Sequence, residues 1–148
     1  MLKNNYLIKL CVVFLIASAS GLIAQDVFLT DRKTIESIKS LQPLQRDWLI
    51  LSKKNTIFSS RVRVEKVDQK GEYKKAFCIY GQCADDTESL RIFFNIYMDN
   101  PEYAELLKQG DIFDFKGQFA FMAPLNASRS AYSIDIILQE GSLVIEHE

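Results

Sequence analysis

One side of a predicted strand, Leu90 to Met98, carries side chains that suit a binding face. Alternate residues of an extended strand point to the same side, and this side is a mixed polar and aromatic row: Arg91, Phe93, Asn95 and Tyr97. Aromatic rings offer flat stacking surfaces, and cations contact phosphate or other polar groups. The row therefore predicts a surface that binds a ligand or a partner.

Basic residues on the two strands predicted before it would add positive charge to this face: Arg61, Arg63, Lys74 and Lys75. A second interpretation stays open, because "IFFNIYM" is apolar at nearly every position. Phe93 and Tyr97 would then be covered by N-terminal helices, or would lie inside the fold with the two sides of the strand reversed.

Catalytic chemistry has little support in this sequence. The only histidine, His147, lies one residue from the end of the chain, where chains commonly fray, and no serine has a histidine beside it. The acidic group of Asp85, Asp86 and Glu88 lacks the spacing of a calcium-binding loop. We expect a protein that is not an enzyme and that carries no metal and no cofactor.

The elements that position the row are mostly strands. "TIFSSRVRVEKV" alternates apolar and polar residues and predicts a first strand, followed after a turn by "YKKAFCIY" as the second. In the third strand the side opposite the row is apolar and indicates the core: Ile92, Phe94, Ile96 and Met98.

A short helix and two more strands follow. Asn100 and Pro101 suit the start of a helix, and Gly110 suits its end. The fourth strand alternates, with one row on a single side: Phe113, Phe115, Gly117, Phe119 and Phe121. Gly117 there indicates a bend or the close approach of a neighbour. The fifth strand, "YSIDIILQ", turns its apolar residues inward: Tyr132, Ile134, Ile136 and Leu138.

Two amphipathic helices are predicted before the strands. They are "RKTIESIKSL", capped by Thr30 or Asp31, and "PLQRDWLILSKK", which contains the single tryptophan, Trp48. This helical preface either packs across one end of the strands or forms a docking arm for a partner.

The order of three strands, one short helix and two strands resembles the OB-fold, a five-stranded Greek-key barrel. "LKQGDIFDFKGQF" is also similar to the start of strand four in OB-fold proteins, with one glycine after the helix and one inside the strand. Over residues 56–139 the chain resembles small exported bacterial OB-fold proteins, the anticodon-binding-like grouping. This resemblance implies a mainly β fold with flanking helices, a binding function, and strands two and three as the ligand face.

The N-terminus has the layout of a secretory signal peptide. Lys3 and Lys9 precede an apolar run, and small residues follow that run. We assign residues 1–25 to the leader, with cleavage after Ala19 or Ala24. The run is shorter than the roughly 20 residues of a spanning helix. We therefore expect no stable membrane span after cleavage, and a location in the periplasm, at the cell surface or outside the cell.

The remaining chain, 26–148, is expected to form a single domain, with 26–55 as the preface and 56–148 as the barrel. Cleavage removes two lysines and no acid, so 16 basic and 19 acidic residues leave a net charge of −3. This balance gives no general attraction for nucleic acid. Two cysteines remain, Cys78 and Cys83, and their spacing predicts a local disulfide around a turn at Gly81, with two free thiols as the alternative.

Together these patterns predict an exported, non-enzymatic binding module. We expect it to bind a protein partner in the cell envelope or to serve as an accessory subunit of an extracytoplasmic assembly. The alternative is an oligonucleotide- or oligosaccharide-binding protein that uses the face of strands two and three. A glycan fits the compartment better than a nucleic acid does.

Overall fold

The computed structural model describes the backbone of residues 27–145 and the side chains of residues 27–138. The predicted leader and His147 lie outside the described residues. The elements in chain order are β1 (Val27–Leu29), α1 (Arg32–Ser40), α2 (Pro43–Leu51), β2 (Ile57–Asp68), β3 (Phe77–Cys83), β4 (Arg91–Met98), α3 (Pro101–Leu106), β5 (Ile112–Pro124) and β6 (Ala131–Ile145).

The six described strands form one sheet that closes into a ring. Their order is β1-β2-β3-β4-β6-β5, and β2 also pairs with β5. Pairing is antiparallel except for β1 with β2 and β4 with β6, which are parallel. The mainly β class, the flanking helices and the helix between the third and fourth predicted strands are confirmed. The strand count is not, because β1 adds a sixth strand beside β2.

Phenylalanine side chains fill the inside of the ring. Every second residue of each strand points inward, and the predicted core side of β4 is buried throughout: Ile92, Phe94, Ile96 and Met98. Phe58 contacts Phe119 with ring centroids 5.0 Å apart, and Phe94 contacts Phe115 at 5.1 Å. The interpretation in which the two sides of this strand were reversed is therefore excluded.

Two glycines have conformational reasons to be glycine. Gly110 has φ of 94°, a region that side chains disfavour, and its N–H donates to the Val64 carbonyl at 2.9 Å. Gly117 lies where β5 passes close to β6, so a Cβ there would be 2.9 Å from the Ile137 carbonyl oxygen. The close approach at Gly117 and the positive φ of Gly110 are confirmed. The predicted helix stop at Gly110 is wrong, because α3 already ends at Leu106, where Leu107 is its extended C-cap.

One predicted side-chain direction in β5 is wrong. Phe121 was placed on the inner row with Phe119, but the register with β6 shifts between these two residues. A bulge of this kind inserts one extra residue and reverses the side on which later residues lie. Met122 is therefore buried, and Phe121 points outward with 52% of its surface exposed.

The predicted disulfide is also wrong, because Cys78 and Cys83 are both free. They lie at the two ends of β3, and Gly81 lies within that strand rather than in a turn. Five residues of extended strand span about 16 Å, far beyond the roughly 7 Å that a disulfide bridges. Burial raises the pKa of both thiols, that of Cys78 to about 11.

The helical preface packs on the ring, as the first of its two interpretations predicted. Ile35, Ile38 and Ile50 are buried in the core. Asp47 of α2 accepts a hydrogen bond from the Tyr132 hydroxyl at 2.8 Å and pairs with Arg129 at 3.2 Å. Both partners follow β5 in the chain, so this cluster ties α2 to the end of the ring where β6 begins.

We expect Gly117→Ala to lower the free energy of unfolding by about 1–3 kcal/mol, the usual cost of forcing extra volume into a packed site. The added methyl group would press on Ile136 and on the Ile137 carbonyl. The measurement is the urea midpoint. Gln118→Ala, on the exposed neighbour, is the control and should move the midpoint little. Equal midpoints for the two variants would contradict the close approach.

Candidate binding surfaces

Two surfaces of the described chain are candidates for binding, and the first is the outer side of the sheet. Strand register places five side chains in one line across five strands: Lys66, Tyr80, Asn95, Asp135 and Phe121. Paired residues point to the same side of a sheet. The next line contains Arg63, Gln82, Phe93 and Ser133. We call these two lines the sheet face.

A buried carboxylate lies in the middle of the sheet face. Asp135 has only 9% of its surface exposed, and it accepts hydrogen bonds from the Tyr73 hydroxyl and from Asn95 Nδ2, each at 2.8 Å. Asn95 Nδ2 also donates to the Ser133 hydroxyl at 3.0 Å. A buried carboxylate needs such donors to offset its desolvation, so these four side chains act as one network.

The loop of residues 69–76 lies over one end of the sheet face. Tyr73 meets Tyr97 edge to face with ring centroids 5.0 Å apart, and the Tyr97 hydroxyl donates to Glu72 at 3.0 Å. Tyr97 is consequently buried, while Tyr73 keeps 40% of its surface exposed. Tyr73 and Lys74 both have positive φ, 54° and 60°, which is a costly conformation for residues other than glycine.

The structure places the four residues predicted on β4 in different surroundings. Arg91 is exposed and Phe93 is half-buried, while Asn95 is held in the Asp135 network. Tyr97 points outward, as predicted for its side of β4, but lies beneath Tyr73. Its cover is therefore the 69–76 loop, rather than the N-terminal helices that the second interpretation proposed.

The four predicted basic residues do not form one patch. Lys74 and Lys75 lie in the 69–76 loop and not on a strand, and Lys75 pairs with Asp99 at 2.7 Å. Arg63 is in line with Phe93. Arg61 is paired with Asp114 of β5 at 3.5 Å, on the other flank of β2. Only Arg63 therefore lies in the sheet face.

The second surface is the outer side of α2. Leu44, Trp48 and Leu51 are spaced by four and three residues and share one side of the helix. Trp48 is 76% exposed and Leu44 65% exposed. Ile50 faces away from these residues and is buried in the core, and Asp47, next to Leu44 and Leu51 on the helix, contacts Tyr132. We call Leu44, Trp48 and Leu51 the α2 stripe.

Sequence reasoning assigned no residue of the α2 stripe to a binding surface, and at the sheet face it missed Phe121, Asp135 and Tyr73 among others. Phe121 was not predicted because the bulge beside it has no clear sequence pattern. Asp135 was not predicted because the rest of its strand is apolar. Tyr73 was assigned to a strand although it lies in a turn. The α2 stripe did have a signal, since Leu44, Trp48 and Leu51 repeat at helical spacing.

One carboxylate of the acidic group after Cys83 makes structural contacts. Asp86 accepts hydrogen bonds from Gln82 Nε2 at 2.9 Å and from the Ile92 N–H at 3.3 Å. It therefore braces the connection between β3 and β4. Among the side chains that the structure describes, those of residues 27–138, no three histidine, cysteine or acidic residues are grouped as metal ligands. Within residues 27–145 no helix has the length and apolar character needed to cross a membrane.

Comparisons with known proteins add little. Neither the models of protein families nor the curated proteins give a match. Among solved structures, the chain is similar over 95% of its length to 26% of the chain in "Crystal structure of a putative aspartyl-tRNA synthetase from Leishmania major Friedlin", with 9% identity and a TM-score of 0.41. The chain thus spans about a quarter of that protein, and the likeness is too weak to define a function.

The hydrogen bond between Tyr73 and Asp135 predicts that the Tyr73 hydroxyl titrates at a higher pH than an ordinary tyrosine. Burial and the hydrogen bond to Asp135 raise the pKa of Tyr73 from 10.0 to about 12, because both favour the neutral phenol. The stability gained is complete below pH 10 and is lost as the pH rises through 12. Absorbance titration of the intact protein should show a component near pH 12 that Tyr73→Phe removes. A Tyr73 component centred at pH 10 would contradict the contact.

Proposed function

We propose that this chain is an exported, non-enzymatic binding module whose partner is a protein of the cell envelope. The observation that carries the proposal is the α2 stripe, an exposed tryptophan flanked by two exposed leucines on one side of a helix that is anchored by its other side. Exposed clusters of large apolar side chains mark contact surfaces. Tryptophan is also enriched among the residues that dominate binding energy.

The proposed fold behind this function is an OB-fold-like barrel of β2 to β6, with β1 as an added strand. Its support is the closed order of the five strands, the parallel pairing of β4 with β6, and α3 between β4 and β5. Such barrels bind ligands with their surfaces and loops. The helical preface then serves two purposes, since it closes one end of the barrel and presents the α2 stripe.

The rigidity of α2 favours binding of a folded protein partner. Arg46, on the side of the same helix opposite the stripe, donates to the carbonyl oxygens of Leu41, Lys39 and Arg129. Asp47 accepts from Tyr132 and pairs with Arg129. These contacts fix the orientation of the helix before a partner binds. Binding through Trp48 therefore loses little conformational entropy from ordering the helix.

Export rests on the leader-like residues 1–25 and is directly measurable. We expect the protein from its native cells to have the intact mass of a chain that starts at Ser20 or Gln25, and to be found outside the cytoplasm. Since Cys78 and Cys83 are free, the mass should match the dithiol form. Recovery of the full-length chain from the cytoplasm would contradict the proposed location.

Partner binding is tested by Trp48→Ala in the mature chain. Affinity for proteins captured from the envelope fraction should fall at least about tenfold, as expected when a central tryptophan of an interface is truncated. The unfolding free energy should change by less than about 0.5 kcal/mol, because surface substitutions seldom cost more. Binding is measured by quantitative pull-down, and stability by urea denaturation.

Leu106→Ala is the matched control for this experiment. Leu106 is a large exposed apolar residue on α3, outside the α2 stripe, and its truncation should leave capture unchanged. Proteins that bind both variants equally are background. If every captured protein behaves in this way, the α2 stripe is not the partner surface and the proposal fails.

A further inference from the structure

We propose that the sheet face is a second binding site, separate from the α2 stripe, and that it takes a neutral oligosaccharide. Phe121 and Tyr73 supply its stacking rings, and the Asp135 network supplies its polar groups. A pyranose ring has one face of C–H groups that stacks on an aromatic ring, and an edge of hydroxyls that needs planar hydrogen-bonding side chains. Both kinds of group are present here.

The two rings approach Asp135 from different sides. Phe121 on β5 is paired with Asp135 in the strand register, and more than half of its surface is exposed. Tyr73 arrives from the 69–76 loop, donates to Asp135 and lies against Tyr97 on the β4 side. A large exposed phenylalanine directly beside a buried carboxylate has no role in the core. The pair therefore offers a stacking surface next to a polar group.

The polar network presents both acceptors and donors. A carboxylate has about four acceptor positions, and the two bonds from Tyr73 and Asn95 occupy about half of those on Asp135. Ser133 adds a hydroxyl that both donates and accepts. Because Asn95 and Tyr73 hold the Asp135 side chain in place, its orientation is set before a ligand arrives.

The charges around the sheet face favour a neutral ligand over a nucleic acid. Phosphate contacts need cations that are available to the ligand. Lys66 is paired with Asp68 at 2.8 Å, Lys70 with Glu72 at 3.3 Å, and Lys75 with Asp99 at 2.7 Å.

Burial raises the pKa of the Asp86 carboxyl, and the nearby charges of Arg91 and Arg63 act in the opposite direction, so both cations lie near this carboxylate. A phosphate placed at the centre of the face would also meet the Asp135 carboxylate, which repels it. The sequence left an oligonucleotide and an oligosaccharide as alternative ligands. The charges of the sheet face disfavour the oligonucleotide and favour the oligosaccharide.

The experiment is a binding titration of the chain with neutral hexasaccharides: a β-1,4-glucan, an α-1,4-glucan, a chitin fragment and a mannan fragment. Oligothymidylate is the anionic probe. We expect at least one hexasaccharide to bind and to be unaffected by salt. Phe121→Ala should weaken that binding about tenfold or more, while Phe121→Trp, which keeps a ring, should retain it. Leu125→Ala, at an exposed apolar residue in the following loop, is the control and should change nothing.

Several results would overturn the assignment. They are binding to none of the hexasaccharides, binding that Phe121→Ala leaves intact, equal losses in Phe121→Ala and Leu125→Ala, or preferential and salt-sensitive binding of oligothymidylate. Trp48→Ala should not alter the affinity for the hexasaccharide. That variant separates this site from the α2 stripe, so each of the two proposals can fail alone.

Discussion

Closure of the sheet through β2 is the constraint on which the rest of the structure depends. β2 is long enough to pair twice, with β5 along residues 57–63 and with β3 along residues 62–68. This double pairing turns an open sheet into a ring and leaves fewer strand edges exposed. The ring in turn creates an inside, which the phenylalanine side chains fill, and an outside, which becomes available for binding.

Closure of the ring also requires irregular strand pairing, and one such irregularity determines where Phe121 of the sheet face lies. The register between β5 and β6 shifts twice. Between Phe115 and Gly117 the extra residues lie in β6, and between Phe119 and Phe121 the extra residue lies in β5. Bulges bend a strand and increase its twist, as a ring of few strands demands. The second shift turns Phe121 outward beside Asp135. A feature needed to close the ring thereby exposes an aromatic ring on the sheet face.

The nine residues of α2 both anchor the helix to the ring and expose an apolar surface. One side of α2 buries Ile50, and Asp47, between that side and the α2 stripe, contacts Tyr132 and Arg129. The other side presents the α2 stripe. These partly buried polar contacts fix the helix in one orientation, so the exposed apolar residues of the stripe form a defined surface. The two proposed sites therefore both depend on contacts to β6 or to the loop before it.

The sequence by itself determined the order of the helices and of five of the six described strands, the core side of β4, the positive φ of Gly110 and the close approach at Gly117, because alternation and special backbone angles are local properties. Only the tertiary structure decided the rest. Cys78 and Cys83 are close in the chain, but they lie far apart because β3 is extended between them. Asp135, Asn95 and Tyr73 meet across three chain segments, and Phe121 faces outward through a bulge. Such pairings depend on register between distant strands, which no short window of sequence contains.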